Sequence, residues 1–96
     1  MYKIFFTPHS EEDLQNIYTY IADDNAFYAE DVLAKIHKSI DFLKIFPMIW
    51  TIFEDDLRYI VEPKYRFKII YRIKDESIEI LSVFKYKENW KDFENI

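Results

Sequence analysis

From residue 65 to residue 74 the chain alternates without interruption. Tyr65, Phe67, Ile69, Tyr71 and Ile73 fall on one side of a strand, and Arg66, Lys68, Ile70, Arg72 and Lys74 fall on the other. Asp75, Glu76 and Ser77 then make a short polar break, and residues 78–84 form a second β-rich run. The pattern predicts a β-hairpin with a greasy face and a basic face. The basic face runs against the trend of the chain. Residues 1–56 hold 4 Lys/Arg against 11 Asp/Glu, whereas residues 57–96 hold 9 against 7. Cations gathered within an acidic protein mark a place where something anionic is expected to sit.

The rest of the chain supplies what such a hairpin must pack against. Residues 2–6 read as a short strand. Thr7 and Pro8 start a helix, the first as cap and the second at the position that needs no bonded N–H. Glu11, Glu12 and Asp13 suit the positive end of its dipole. Leu14, Ile17, Tyr18 and Ile21 form its apolar stripe. Asp23 and Asp24 interrupt it, and Asn25 caps a second helix with Ala29, Val32, Leu33, Ile36, Ile40 and Leu43 on its buried face. Pro47 closes that helix. The short break between them predicts an antiparallel helix hairpin.

Residues 48–53 are apolar without a period, and a packed loop and a short strand fit them equally. Asp55 and Asp56 make a turn. Leu57, Tyr59 and Val61 alternate with Arg58, Ile60 and Glu62 in a strand that Pro63 stops. Trp90, Phe93 and Ile96, three apart, fit a terminal helical turn. The expected fold is therefore α+β in one domain over residues 1–96. It comprises an N-terminal strand, a two-helix hairpin, a three-stranded antiparallel sheet and a short C-terminal helix.

Composition removes several functions. The chain has no cysteine and no glycine. Thiolate chemistry, disulfides and Gly-rich phosphate loops are excluded. His9 and His37 are too far apart in sequence to suggest a metal site. No apolar run approaches the roughly 20 residues of a membrane helix, and nothing resembles a signal peptide, so a soluble cytoplasmic protein is expected.

Taken together, Tyr2, Lys3, Ile4, Thr7 and Pro8, then Glu12, Asp13, Leu14 and residues 17–22, resemble the opening strand and helix of the RelE/ParE superfamily of type II toxin–antitoxin toxins. The ParE-like (plasmid-stabilisation) branch is the more similar. Ile36, Ile40, Leu43, Phe46 and Pro47 resemble its second helix and the break after it, Leu57 and Arg58 its next strand, and residues 65–72 and 78–83 its central hairpin. The resemblance departs at Met48, Ile49 and Trp50, where family members often carry glycine. It departs again at residues 84–87, where they often carry His and Arg.

The resemblance implies a toxin neutralised by a cognate antitoxin, with no cofactor. ParE-like members poison DNA gyrase; RelE-like members cut messenger RNA on the ribosome without a metal. Under the ribonuclease reading the candidate residues are Arg58, Lys68, Lys85, Tyr86 and Lys87. Cleavage needs a base for the 2′-OH, cations for phosphorane charge and an acid for the leaving oxygen. Lysine forks phosphate less well than arginine, and the acidic balance disfavours steering to RNA. Gyrase inhibition is therefore preferred over the endoribonuclease alternative, with a degenerate member that only binds its antitoxin as a third reading. The target-binding basic face is expected at Arg66, Lys68, Arg72, Lys85 and Lys87. Antitoxin anchors are expected at Met48, Trp50, Phe53, Trp90 and Phe93.

Overall fold

The computed structural model describes residues 1–85. Its elements are β1 (Lys3–Phe6), α1 (Pro8–Ala22), α2 (Ala26–Leu43), β2 (Ile52–Glu54), β3 (Leu57–Val61), β4 (Phe67–Lys74) and β5 (Ser77–Lys85). The terminal turn expected at Trp90, Phe93 and Ile96 lies outside the described residues.

Both helices begin where their capping chemistry says they should. The Thr7 hydroxyl oxygen accepts from the Ser10 N–H at 3.2 Å, and Pro8 opens α1. The Asn25 side chain accepts from the Tyr28 N–H at 3.0 Å and opens α2. The α2 stripe is buried at Ala29, Val32, Ile36, Ile40 and Leu43. Leu14, Ile17 and Ile21 of α1 and Leu33 of α2 pack half-buried on the same core. Each isoleucine or leucine sealed there stabilises the fold by about 1.5–3 kcal/mol, and truncating Ile36 to alanine costs about 2–5 kcal/mol.

The sheet corrects the expected architecture. It has five strands in the order β1-β5-β4-β3-β2 rather than three, and it is mixed rather than antiparallel. β1 lies parallel to β5, with Ile4 beside Ile78 and Phe6 beside Ile80. The helix hairpin carries the chain away from β1, and β5 returns beside it in the same direction. A run as short as β1 shows its alternation in the sequence but not the direction of its neighbour. The undecided apolar segment contributes β2, which pairs antiparallel with β3.

The alternation of β4 has the expected phase. Phe67, Ile69 and Tyr71 are buried with Ile60 of β3 and Ile78, Ile80 and Val83 of β5 against α2. The strand starts later than expected, at Phe67, because Arg66 takes a left-handed turn conformation with φ 65°. Asp55 (φ 49°) and Asp75 (φ 58°) do the same at the two hairpin turns. In a chain without glycine these turns must use other residues, and Asp tolerates this region better than most. Between β4 and β5 the register slips so that Ile70 faces Ser82 and Tyr71 faces Ile80, leaving Leu81 as a bulge.

Candidate interaction surfaces

The side of the sheet away from the helices is where the hairpin's basic set projects. Cross-strand register places Lys68 beside Val61, Ile70 beside Tyr59 and Arg72 beside Leu57 on this open face. Lys68 is only 3% exposed. Its ammonium lies 4.2 Å from the Tyr59 ring centroid and 5.3 Å from that of Phe53. The ring faces attract the cation, and the stem is covered. Arg72 donates from Nε to the Glu79 carboxylate at 2.6 Å, directly across the strands. That bond holds the Glu79 carboxyl below its ordinary value and lifts the Arg72 guanidinium above its own. Lys74 is exposed at the end of the strand.

The remaining candidate residues lie elsewhere. Arg66 belongs to the turn before β4. Lys85 is in register with Phe67 and therefore lies on the helix side of the sheet. Its ammonium donates to the Tyr65 carbonyl at 2.7 Å and sits 5.0 Å from the Phe67 ring centroid. It lines an open cleft of about 560 Å³ with Ile17, Tyr20, Ile21 and Tyr28. Arg58, beside Tyr71, is also on the helix side. Its Nη1 donates to the Met48 carbonyl at 3.0 Å and the Trp50 carbonyl at 2.8 Å, pinning the segment before β2. Tyr86 and Lys87 lie outside the described residues, as do Trp90 and Phe93. Among the described residues, then, Lys68 and Arg72 share a face, whereas Arg58 and Lys85 lie on the other side of the sheet.

Sequence reasoning missed a polar knot between α2 and the β3–β4 turn. The Asp31 carboxylate accepts from the Tyr65 hydroxyl, from Lys64 Nζ at 3.0 Å and from Lys35 Nζ at 3.1 Å. Tyr65 first, then the two lysines, drive its carboxyl well below the usual aspartate range. The same contact raises the Tyr65 phenol and the Lys64 ammonium. The Tyr28 ring packs edge-on against Tyr65 at 5.2 Å. Glu62, 1% exposed, accepts from the Lys64 N–H at 2.8 Å and the Tyr65 N–H at 2.6 Å. This turn is thereby built from carboxylate–amide bonds, which accounts for a buried acid without invoking catalysis.

Among the described residues, exposed apolar side chains gather on two surfaces. One follows the end of α2, where Phe42, Ile45, Phe46, Met48, Ile49 and Ile52 are each 41–62% exposed and Phe53 is 38%. Trp50 is half-buried beneath them, with its indole N–H inside and without an acceptor. The second lies at the helix corner, where Tyr20 is 79% exposed, Phe27 88% and Tyr28 45%, beside the Lys85 cleft. Phe27, Tyr20 and Phe42 all fall off the buried stripes of their helices, and that mismatch is the signal the sequence carried.

His9 Nε2 lies 3.4 Å from Asp13 Oδ2, and His37 packs edge-on against Phe6 at 5.9 Å. Asp13 in turn accepts from the Ser82 hydroxyl and the Val83 N–H, closing the β5 edge where β1 ends. Among the described residues no group of three or more His, Asp or Glu is placed to hold a metal, and no helix is long and apolar enough to cross a membrane.

A family model described as the ParE toxin of the type II toxin–antitoxin system parDE matches residues 4–90. No curated protein matches the sequence significantly. Among solved structures, the chromosomal ParDE system of P. aeruginosa aligns with a TM-score of 0.79 at 19% identity, covering 91% of this chain and 98% of that one. The intact E. coli RelBE complex aligns at 0.65 and 15% identity, covering 92% and 100%. Isolated E. coli RelE aligns at 0.64 and 15% identity, covering 99% and 97%. At these identities the two-helix, five-stranded architecture is what is shared.

Proposed function

This chain belongs to the ParE toxin family of type II toxin–antitoxin systems, and we propose that it arrests bacterial growth by poisoning DNA gyrase and is silenced by a cognate antitoxin. The observation that carries the choice of gyrase is the dispersal of the three ribonuclease candidates among the described residues. Lys68 lies under aromatic rings on the open face, Arg58 is committed to two carbonyls, and Lys85 faces a cleft on the opposite side. Strand cleavage needs acid, base and cation converging on one phosphate. Poisoning by binding needs only a surface. The open face offers one: Arg72 set among the half-buried Tyr59, Val61, Ile70 and Phe84, with the Lys68 charge held beneath the rings, an amphipathic patch suited to a protein partner.

The antitoxin reading rests on the exposed aromatics. Tyr20 and Tyr28 line a cleft that also holds the Lys85 cation, where an apolar segment ending in a carboxylate fits. Met48 and Phe53 offer further apolar contact, while Trp50 packs against the Phe42 ring and the core.

Inducible expression with paired reporters tests the proposal. Induction of a DNA-damage reporter while transcripts stay intact is the expected result. Rapid message loss without that response would place the chain with the ribonucleases, and neither response would mark it as an antitoxin-binding remnant.

A further inference from the structure

Tyr65 joins the two walls of the Lys85 cleft without lining it. Ile17, Tyr20 and Ile21 of α1, with Tyr28 of α2, form one wall. Phe67 and Lys85, in register across β4 and β5, form the other. Tyr65 lies two residues before Phe67, in the turn between β3 and β4. Its ring packs edge-on against Tyr28 with centroids 5.2 Å apart, and its carbonyl accepts from Lys85 Nζ at 2.7 Å.

Tyr65 is itself held from two sides. Its N–H donates to the Glu62 carboxylate at 2.6 Å, which ties it to the end of β3. Its hydroxyl donates to Asp31 on α2, and Lys64 Nζ reaches the same carboxylate at 3.0 Å. At the start of α2, Ala26, Phe27 and Tyr28 are exposed, so this end of the helix buries little apolar surface. The Asp31 contact therefore fixes the turn against α2, and with it the place of the Tyr65 carbonyl beside the cleft.

A lysine on its long flexible stem gives up much rotamer freedom when a ligand fixes it. Lys85 is held before any ligand arrives, by the Tyr65 carbonyl and by the Phe67 ring, whose centroid is 5.0 Å from the ammonium. An ammonium has three N–H donors; Tyr65 takes one, and a carboxylate can engage the others. Preorganisation of this kind raises affinity by lowering the cost of ordering on binding. We infer that Tyr65, anchored on Asp31, is a positioning residue that presets the Lys85 ammonium for a carboxylate ligand of the cleft. This assignment rests on the reading of the cleft as the seat of an apolar antitoxin segment ending in a carboxylate, and adds what holds the cation ready for it.

Titration of the purified full chain with N-acetyl-phenylalanine and with its uncharged amide, followed by NMR, compares a carboxylate probe with its neutral twin. Wild type is expected to bind the acid more tightly. Tyr65→Phe keeps the ring against Tyr28 and loses the anchor. It should weaken the acid about two- to tenfold, the scale of one hydrogen bond, and narrow its lead over the amide. Asp31→Asn, which leaves Tyr65 whole but removes the ionised anchor, should act in the same direction. Lys85→Met should bind acid and amide alike. Adding Tyr65→Phe to it should cost the acid nothing further, the mark of a residue that acts through Lys85. A structural role alone would weaken acid and amide together and persist without Lys85. An unchanged acid-to-amide ratio in Tyr65→Phe and Asp31→Asn, or a further loss in the double variant, overturns the inference while the cleft reading stands. Equal binding of acid and amide by wild type overturns the cleft reading and the inference together. None of these outcomes bears on gyrase.

Discussion

The Tyr71 hydroxyl, in the middle of β4, donates to the Pro47 carbonyl at 2.5 Å inside the core. Its cross-strand neighbour Arg58 holds the next carbonyls, those of Met48 and Trp50. Two adjacent side chains on the sheet thus fix the path from α2 into β2, and with it the apolar band above them.

Tyr71→Phe is expected to leave the Pro47 carbonyl without its donor and to cost about 1–3 kcal/mol, read by urea unfolding. Burial pushes the Tyr71 phenol up to about 12. Folding favours its neutral form, so that contribution is complete below the free value of 10.0 and is lost as pH rises toward 12. The gap between wild type and Tyr71→Phe should accordingly narrow across that range.

Asp31→Asn should lower the melting temperature at neutral pH, because the ionised carboxylate is what Tyr65, Lys64 and Lys35 bind. Its acidity is enhanced in the folded state. The stability it contributes is therefore present above the free value of 3.8 and is lost as pH falls through the depressed folded value. Calorimetry in acid should show the two proteins converging.

Arg66→Gly removes a cation at a left-handed position, where a non-glycine side chain costs about 1–2 kcal/mol. Relief of that cost offsets the loss of the Arg66 side chain's own contact, so the variant should melt close to wild type. On the gyrase reading it should inhibit growth less strongly, since a charge flanking the open face is gone; colony counts after induction measure this.

Lys68→Met should keep the fold, because the stem still packs against Tyr59 and Phe53 and the lost cation–ring attraction is about 0.5–2 kcal/mol. Lys68→Glu places a carboxylate against ring faces that repel it and should unfold at markedly lower denaturant. Reduced toxicity in the soluble Met variant would assign the ammonium a role beyond packing.

The helix caps, the α2 stripe and the phase of β4 were legible because each is written in local chemistry. Thr7, Pro8, Asn25 and the 67–69–71 alternation need no partner to be read. The direction of β1 was not legible, since its partner β5 lies at the far end of the chain. Nor was β2, whose pairing is fixed by Arg58 and Tyr71 gripping the segment before it. For the same reason the basic face was only half legible. Alternation placed Lys68 and Arg72 together, but it could not place Arg66, which turned out of the strand, or Lys85, whose side was set by register against Phe67 after the Leu81 bulge. The Asp31–Tyr65 contact joins residues too distant in sequence for any periodicity to connect.

A supercoiling assay with purified gyrase, relaxed plasmid and the full-length chain tests the account most directly. Protein-linked, broken plasmid is expected to accumulate and to disappear when a molar equivalent of antitoxin is added. Unimpaired supercoiling with no broken plasmid, alongside cleavage of messenger RNA on ribosomes by the same preparation, would contradict it.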